Sequence, residues 1–249
     1  MRIRILTIFP ELFESFLGTS LIGRARDEGL LEVEVFDLRK FTTDRHRSVD
    51  DEPYGGGGGM VMTAEPWLNA LRQIEGGRRI LMSPQGERLS EAKVRELAAV
   101  EDLVLLCGRY EGIDERVREL AVDEEVSLGD FVVSGGELPA MVLTEAVSRQ
   151  VPGVVGLHDS VENDSFRHGL LDYPHYTRPR VVEGLEVPAV LLSGHHRQIE
   201  TWRRRQALAA TLRKRPDLLA EASLTAEDRQ QLLELADELE VELPPRLGA

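Results

Sequence analysis

The stretch "DLVLLCGRYEGIDER", residues 102–116, decides the fold class of this chain. It begins with an apolar run that ends at Cys107 and continues into a loop of glycine and charged residues. Because the cysteine closes an apolar run, we interpret it as the buried end of a β-strand rather than as a nucleophile. The stretch therefore predicts a strand followed directly by a polar loop.

Apolar strand-like runs alternate with helical patterns on the N-terminal side of this stretch. The runs are "RIRILTIF", "LEVEVFDL" and "RRILMS", and the helical patterns cover about residues 11–28, 65–74 and 90–99. This alternation is typical of an α/β domain with a mainly parallel sheet.

Three polar loops that contain glycine accompany the apolar runs. They are "SPQGE" from Ser83, "GRYEGIDER" from Gly108 and "SLGDFVVSGGELP" from Ser127. Ligands of such sheets bind beyond the carboxyl ends of the strands, so we expect the chemistry in these loops.

The second half of the chain changes character. A helix, "LPAMVLTEAVSRQV", follows the third loop and ends near Arg149, and the segment 152–179 shows no clear period. Beyond "VPAVLLSGHH", residues 187–196, the chain is predicted to be helical to about residue 240. We predict an α/β domain over residues 1–157, a linker over 158–168 and a small helical domain over 169–249.

Composition and charge exclude several classes of protein. The 249 residues, 42% of them hydrophobic, can bury a sizeable core, and the one cysteine excludes an internal disulfide and a cysteine-based zinc site. The N-terminal apolar run is too short for a signal peptide, and no apolar segment reaches membrane-spanning length, so we predict a soluble, cytoplasmic protein that does not bind membranes.

A net charge of −14 argues against indiscriminate binding of nucleic acid, but one local basic segment exists. "TWRRRQALAATLRKRP", residues 201–216, carries six Lys/Arg and no acid. Either contacts to phosphates or a solvated basic helix face explains it.

Five consecutive glycines, Gly55–Gly59, raise the question of a phosphate-binding loop. Neither a G-x-G-x-x-G fingerprint nor a Walker A motif occurs, and the next predicted helix begins several residues later. We therefore interpret the glycines as a pliable surface loop.

Several blocks together resemble one known family. "DRHRSVDDEPYGGGGGMVM", "SPQGERL", "LLCGRYEGIDERV", "SLGDFVVSGGELPAM", "ENDSF" and "GLLDYPHYTRP" closely resemble, in order and spacing, the bacterial tRNA (guanine-N1)-methyltransferase family of the SPOUT class. In that family a proline normally stands at the position of Gly58. The glycine in this chain lacks the fixed φ of proline, so we expect the free loop to be more mobile.

This resemblance implies a fold and a reaction. It implies S-adenosylmethionine as methyl donor, tRNA as substrate and methylation at N1 of the guanosine immediately 3′ of the anticodon, position 37. It also implies a SPOUT-type sheet with a deep trefoil knot, a homodimer with its active site at the interface, and a requirement for magnesium at a site that no ligand spacing here locates.

The implied reaction needs a general base, because guanine N1 becomes nucleophilic only as its proton leaves. The family's base matches Asp164 in "ENDSF", where the residues alone favour a turn or helix cap. The family's charge-stabilising arginine matches Arg149, which is also a favourable cation at a helix C-terminus.

The donor-binding positions of the family fall on the three glycine-containing loops. They match Met82, Pro84, Gly108, Leu128, Gly129, Asp130, Phe131, Val132, Val133 and Gly136. Glu111 and Glu137 lie in the same loops. Two interpretations of these acids are equally sensible: a role near the sulfonium or a metal, or a favourable negative charge at a helix N-terminus.

The tRNA-binding candidates lie in both halves of the chain. Asp50 and Asp172 match positions near the target guanosine. A carboxylate there can accept hydrogen bonds from the N1 and N2 edge of guanine. The candidates for phosphate contacts are Arg45, His46, Arg47, Arg203, Arg204 and Arg205. A knotted RNA-binding protein without catalysis and a nucleotide hydrolase are the alternative functions.

Overall fold

The computed structural model describes residues 1–156 and 164–244. The chain divides into two compact units, Met1–His158 and Asp159–Ala249.

The first unit is built on a sheet of five strands, β1 (Arg2–Thr7), β2 (Glu32–Asp37), β5 (Arg78–Arg88), β6 (Asp102–Cys107) and β7 (Glu124–Ser127). Every neighbouring pair is parallel, and the order in the sheet is β2-β1-β6-β5-β7. Two short strands, β3 (Asp50–Asp51) and β4 (Val61–Met62), form a separate antiparallel pair. The predicted α/β class with a mainly parallel sheet is confirmed.

Six α-helices belong to the described part of the first unit. They are α1 (Glu14–Gly18), α2 (Ser20–Asp27), α3 (Ala64–Gln73), α4 (Glu91–Ala98), α5 (Glu115–Ala121) and α6 (Glu137–Ser148). Two of them begin at polar caps: the Ser90 hydroxyl accepts a hydrogen bond from Lys93 N, and the Asp114 carboxylate accepts one from Arg116 N. Such caps satisfy backbone donors that have no partner within the helix.

Strand β6 lies at the centre of the sheet and contributes to the core on both faces. Leu103, Leu105 and Cys107 pack into one buried cluster, and Val104 and Leu106 pack into another. Successive side chains of a strand point to opposite faces, so an unbroken apolar run fits a strand covered on both sides. The burial of Cys107, together with the nearby charge of Glu137, raises the pKa of its thiol well above the ordinary value.

Two features of the first unit differ from the sequence prediction. The continuous helix over 11–28 is wrong, because Thr19 is extended and separates α1 from α2. The break lets the backbone at Gly23 pack directly on the Gly18 carbonyl, where a Cβ atom would not fit. Helix α5 and strand β7 are not predicted from the sequence, because both are short and rich in charged residues.

The second unit contains a hairpin and two long helices. The strands are β8 (Val181–Val182) and β9 (Leu185–Glu186), and the helices are α7 (His196–Lys214) and α8 (Ala226–Leu239). Its buried cluster includes Leu208, Leu212, Leu232 and Leu235 from the two helices. No helix in the described ranges is both long and apolar enough to cross a membrane.

The two long helices are joined by a buried charge. Asp228, at the start of α8, accepts hydrogen bonds from Arg204 Nε and Nη2, both at 2.8 Å, and also completes a capping box with Thr225. The Arg204 guanidinium lowers the pKa of the Asp228 carboxyl to about 2, although burial acts in the opposite direction.

We expect Asp228→Asn to lower the unfolding free energy of the second unit by about 1–3 kcal/mol at neutral pH, because the ion pair with Arg204 is lost and the capping-box hydrogen bond from Thr225 N is weakened. Since the folded pKa lies below the ordinary 3.8, this stabilisation is present above pH 3.8 and is lost as the pH falls toward about 2. Hydrogen exchange of the α8 amides across that range measures it.

Glu227→Gln is the matched control, because Glu227 lies in the same turn but is exposed. Equal protection of α8 in all three proteins, or a difference between wild type and Asp228→Asn that persists undiminished at pH 2, would contradict this account.

Candidate active site

A cavity of about 420 Å³ lies at the carboxyl ends of β6 and β7 and beside the middle of β5. The predicted loop "SPQGE" is an irregularity within β5, where the pairing with β7 shifts register between Met82 and Glu87. The other two polar segments follow β6 and β7 directly. The cavity size is typical of a site for a small molecule or cofactor.

The loop that precedes α6 is anchored on the end of β6. Gly136 N donates a hydrogen bond to Gly108 O at 2.9 Å, and Gly135 forms an antiparallel bridge with Arg109. A Cβ atom at Gly136 would lie 2.7 Å from Cys107 Cα, a separation that real side chains do not adopt. Gly136 is therefore required for the close approach of two backbone segments.

The structure brings most of the predicted donor-binding residues around this one cavity. Gly129 and Asp130 are not among the residues that line it, but they lie in the loop between residues that do. The eight that line it are Met82, Pro84, Gly108, Leu128, Phe131, Val132, Val133 and Gly136. Phe131 and Val132 are 58% and 82% exposed, so apolar side chains face the solvent at this site.

Polar residues that the sequence analysis did not select also line the cavity. Arg118 donates to Gln85 Oε1 at 3.1 Å and pairs with Glu125, while Arg109 bonds to the buried carboxylate of Glu137. Arg109 lies in the quoted "GRYEGIDER" block and Arg118 lies just after it, so this block was the sequence feature that could have pointed to both.

The glycine-rich loop ends beside the cavity. Glu111, which lines the cavity, donates its backbone N–H to Met60 O at 3.0 Å. A Cβ atom at Gly59 would lie 2.7 Å from Glu111 Cγ, whereas Gly55–Gly58 have open space around them. Only at the last glycine of the run would a side chain meet a neighbour, and that neighbour is the exposed side chain of Glu111.

A second cavity, of about 280 Å³, lies within the second unit. Among the predicted residues it brings together Asp164, Asp172, Arg203 and Arg204, and His168 also lines it. Asp164 is exposed.

Asp172 is held in place by its neighbours. Its carboxylate accepts a hydrogen bond from Tyr173 N at 2.7 Å and contacts His175 Nε2 at 2.8 Å, and its own N–H donates to Ser165 Oγ at 2.9 Å. The guanidinium of Arg203 lies 4.9 Å from the centre of the Tyr173 ring. The cavity wall thus presents a carboxylate, an aromatic ring and a cation side by side.

The other predicted residues lie elsewhere. Arg149 caps the C-terminus of α6, and Asp50 lies half-buried in β3. The residues Arg45, His46 and Arg47 occupy an exposed turn, in which Asp44 accepts hydrogen bonds from His46 N and Ser48 N.

Half of the cations in the basic segment pair with acids of their own unit. Arg204 bonds to Asp228, Arg205 to Glu238 and Arg215 to Asp217. Contacts of Arg203, Arg204 and Arg205 with phosphates remain a prediction.

Within residues 1–156 and 164–244, no group of three or more His, Cys, Asp or Glu side chains is arranged to hold a metal ion. We therefore derive no chemical step through magnesium.

Comparison with known proteins gives the family. The family model described as tRNA (guanine-1)-methyltransferase TrmD matches residues 1–221. The chain is 54% identical over 242 residues to a tRNA (guanine-N(1)-)-methyltransferase of Moorella thermoacetica, covering 95% of this chain and 97% of the relative. Relatives of the same name from Desulforudis audaxviator and Geobacter metallireducens are 55% and 53% identical, covering 96% and 95% of this chain and 98% of each relative. The chain therefore belongs to the tRNA (guanine-1)-methyltransferase family.

Proposed function

We propose that this chain methylates N1 of the guanosine immediately 3′ of the anticodon, position 37, in tRNA, with S-adenosylmethionine as donor. The observation that carries the proposal is the convergence of eight predicted donor-binding residues on one cavity, in a chain that belongs to this family. The tRNA substrate and the reaction are transferred from the names of relatives more than half identical over almost their whole length.

The first cavity fits the donor's mixed character. Leu128 and Val133 offer apolar surface for a purine, and Gly108 and Gly136 expose backbone for polar contacts. When bound, S-adenosylmethionine supplies an electrophilic methyl group, which needs no nucleophile from the protein.

Asp164 is the proposed general base. As the guanine N1 proton moves to its carboxylate, negative charge grows on O6, and the Arg149 guanidinium stabilises that charge. Asp164 and Asp172 border the same cavity, so a guanine edge there meets two carboxylates that can accept its N–H groups.

The proposed trefoil knot rests on the family and on the path of the chain after β7. That strand lies at one edge of the sheet, yet α6 packs into the cluster that includes Ile5 of β1 and Leu105 of β6. The chain thus returns from the edge to the centre beside the carboxyl end of β6. An experimental structure traced through residues 124–148 that shows no threading would refute the knot.

The proposed homodimer is supported by apolar side chains on α6. Leu138 and Val142, one turn apart, are 62% and 48% exposed, although α6 buries Leu143 and Val147 on another side. An enzyme that acts on tRNA works where tRNA is found, so we propose the cytoplasm as its location.

A methylation assay on two transcripts tests the function. With magnesium present, a transcript with guanosine 3′ of the anticodon should gain one methyl group, and one with adenosine there should gain none. Binding of the guanosine transcript without methylation would favour an RNA-binding protein. ATP hydrolysis without methylation would favour a hydrolase.

In the same assay, we expect Asp164→Asn to lower the single-turnover methylation rate by roughly 10²–10⁴-fold, because a general base is lost. Donor binding should stay unchanged. Asp217→Asn is the control, since Asp217 is an exposed acid of the same unit outside the second cavity. A rate for Asp164→Asn within about tenfold of wild type would exclude this role.

Arg203→Glu should weaken tRNA binding, because an attractive contact with a phosphate becomes a repulsion. The slope of log Kd against log salt concentration should fall by about one to two. Arg203 is suited to the test because it is exposed, whereas Arg204 stabilises the fold through Asp228. Arg229→Glu, an equal charge change at an exposed position of α8, is the control. Identical salt slopes in the two variants would count against the assignment.

Leu138→Glu should convert a two-chain species into single chains in analytical ultracentrifugation and abolish methylation, because a charge in an apolar interface is not solvated. Leu120→Glu, at a 71% exposed apolar position of α5, should change neither. A wild-type chain that sediments as a monomer would refute the dimer.

A further inference from the structure

Glu137 is a buried carboxylate that the proposed chemistry does not use. It lies in the first turn of α6 and is 1% exposed. Its Oε1 accepts a hydrogen bond from Thr7 Oγ1 at 2.8 Å, and its Oε2 accepts one from Arg109 Nε at 2.9 Å. Both carboxylate oxygens therefore have partners, as a buried charge requires.

These two hydrogen bonds join three segments that are distant in sequence. Thr7 ends β1, Arg109 follows β6, and Glu137 opens the helix after the loop 128–136. Phe9 closes the group, because its N–H donates to Thr7 Oγ1 at 2.9 Å and its ring lies 4.7 Å below the Arg109 guanidinium. Each member of the group is thus held from two directions.

The group lies directly behind the first cavity. Arg109, Gly135 and Gly136 line that cavity, whereas Glu137 and Thr7 do not. A Cβ atom at Gly135 would lie 2.6 Å from Glu137 Oε2, so the cavity wall packs on the carboxylate without a gap. Glu137 is therefore in direct contact with residues that form the wall.

We infer that Glu137 is a positioning residue for methyl transfer, which holds Arg109 and the loop 128–136 in the arrangement that binds the donor, with Thr7 as its anchor on β1. This inference rests on the proposed function. Glu137 acts through Arg109 and the loop, and it touches no reacting atom.

A purely structural role is the competing explanation, and the chain offers a matched control for it. Asp102, at the start of β6, pairs with Arg2 and with the buried Arg4, so it joins the same two strands at their amino ends, away from the cavity. Asp102→Asn and Glu137→Gln each remove one carboxylate charge from a network between β1 and β6. Only the second network borders the donor cavity.

The test measures S-adenosylhomocysteine binding by calorimetry, KM for S-adenosylmethionine, kcat and thermal unfolding for each protein. Glu137→Gln should raise the dissociation constant and KM about tenfold or more and leave kcat within about threefold, because misplaced binding groups weaken the donor site. Asp102→Asn should lower the melting temperature and leave donor affinity unchanged.

Thr7→Val and Thr7→Ser decide the matter if Glu137→Gln does not fold. Thr7→Val removes the anchoring hydroxyl and should weaken S-adenosylhomocysteine binding, whereas Thr7→Ser retains the hydroxyl and should restore it. Donor affinity equal to wild type in Glu137→Gln, or in Thr7→Val, would overturn the inference while leaving the proposed function intact. A wild-type chain that binds no S-adenosylhomocysteine would overturn both.

Discussion

The close contact between Gly136 and the end of β6 is the constraint on which the arrangement of the first unit depends. With no side chain at residue 136, its backbone reaches Gly108 and donates a hydrogen bond to it. A Cβ atom there would lie 2.7 Å from Cys107 Cα, at the buried end of the central strand. The start of α6 is thereby fixed over the strand that contributes most centrally to the core.

Cavity and core are therefore two consequences of one packing arrangement. Once α6 starts above β6, Leu143 and Val147 fall into the buried cluster, and the preceding loop is left as a wall around open space. The buried Glu137 adds charge to this junction and ties the ends of β1 and β6 to it. Apolar residues such as Phe131 and Val132 remain exposed in the wall, which is costly unless a ligand or a partner covers them.

The second unit shows how misleading a charge pattern can be when it is considered alone. Six cations and no acids over residues 201–216 suggest a binding surface for phosphates. Three of the six instead pair with acids, two of them on α8. The linear pattern contains no information about these pairs, because their partners lie up to 33 residues away. The exposed Arg203 above Tyr173 is the part of the pattern that is suited to nucleic acid.

The sequence by itself determined the α/β class, the burial of Cys107 and the three segments that surround the first cavity, because strand-length apolar runs and glycine-containing loops are local features. It did not reveal the break at Thr19, strand β7 or the bulge in β5, since each depends on close backbone packing or on pairing with a distant strand. The contacts of Glu137 with Thr7 and Arg109 were equally out of reach. Only the tertiary structure decided these contacts. A parallel sheet places side by side strand ends that are 100 or more residues apart in the chain, and each buried charge there depends on a partner that is near only in space.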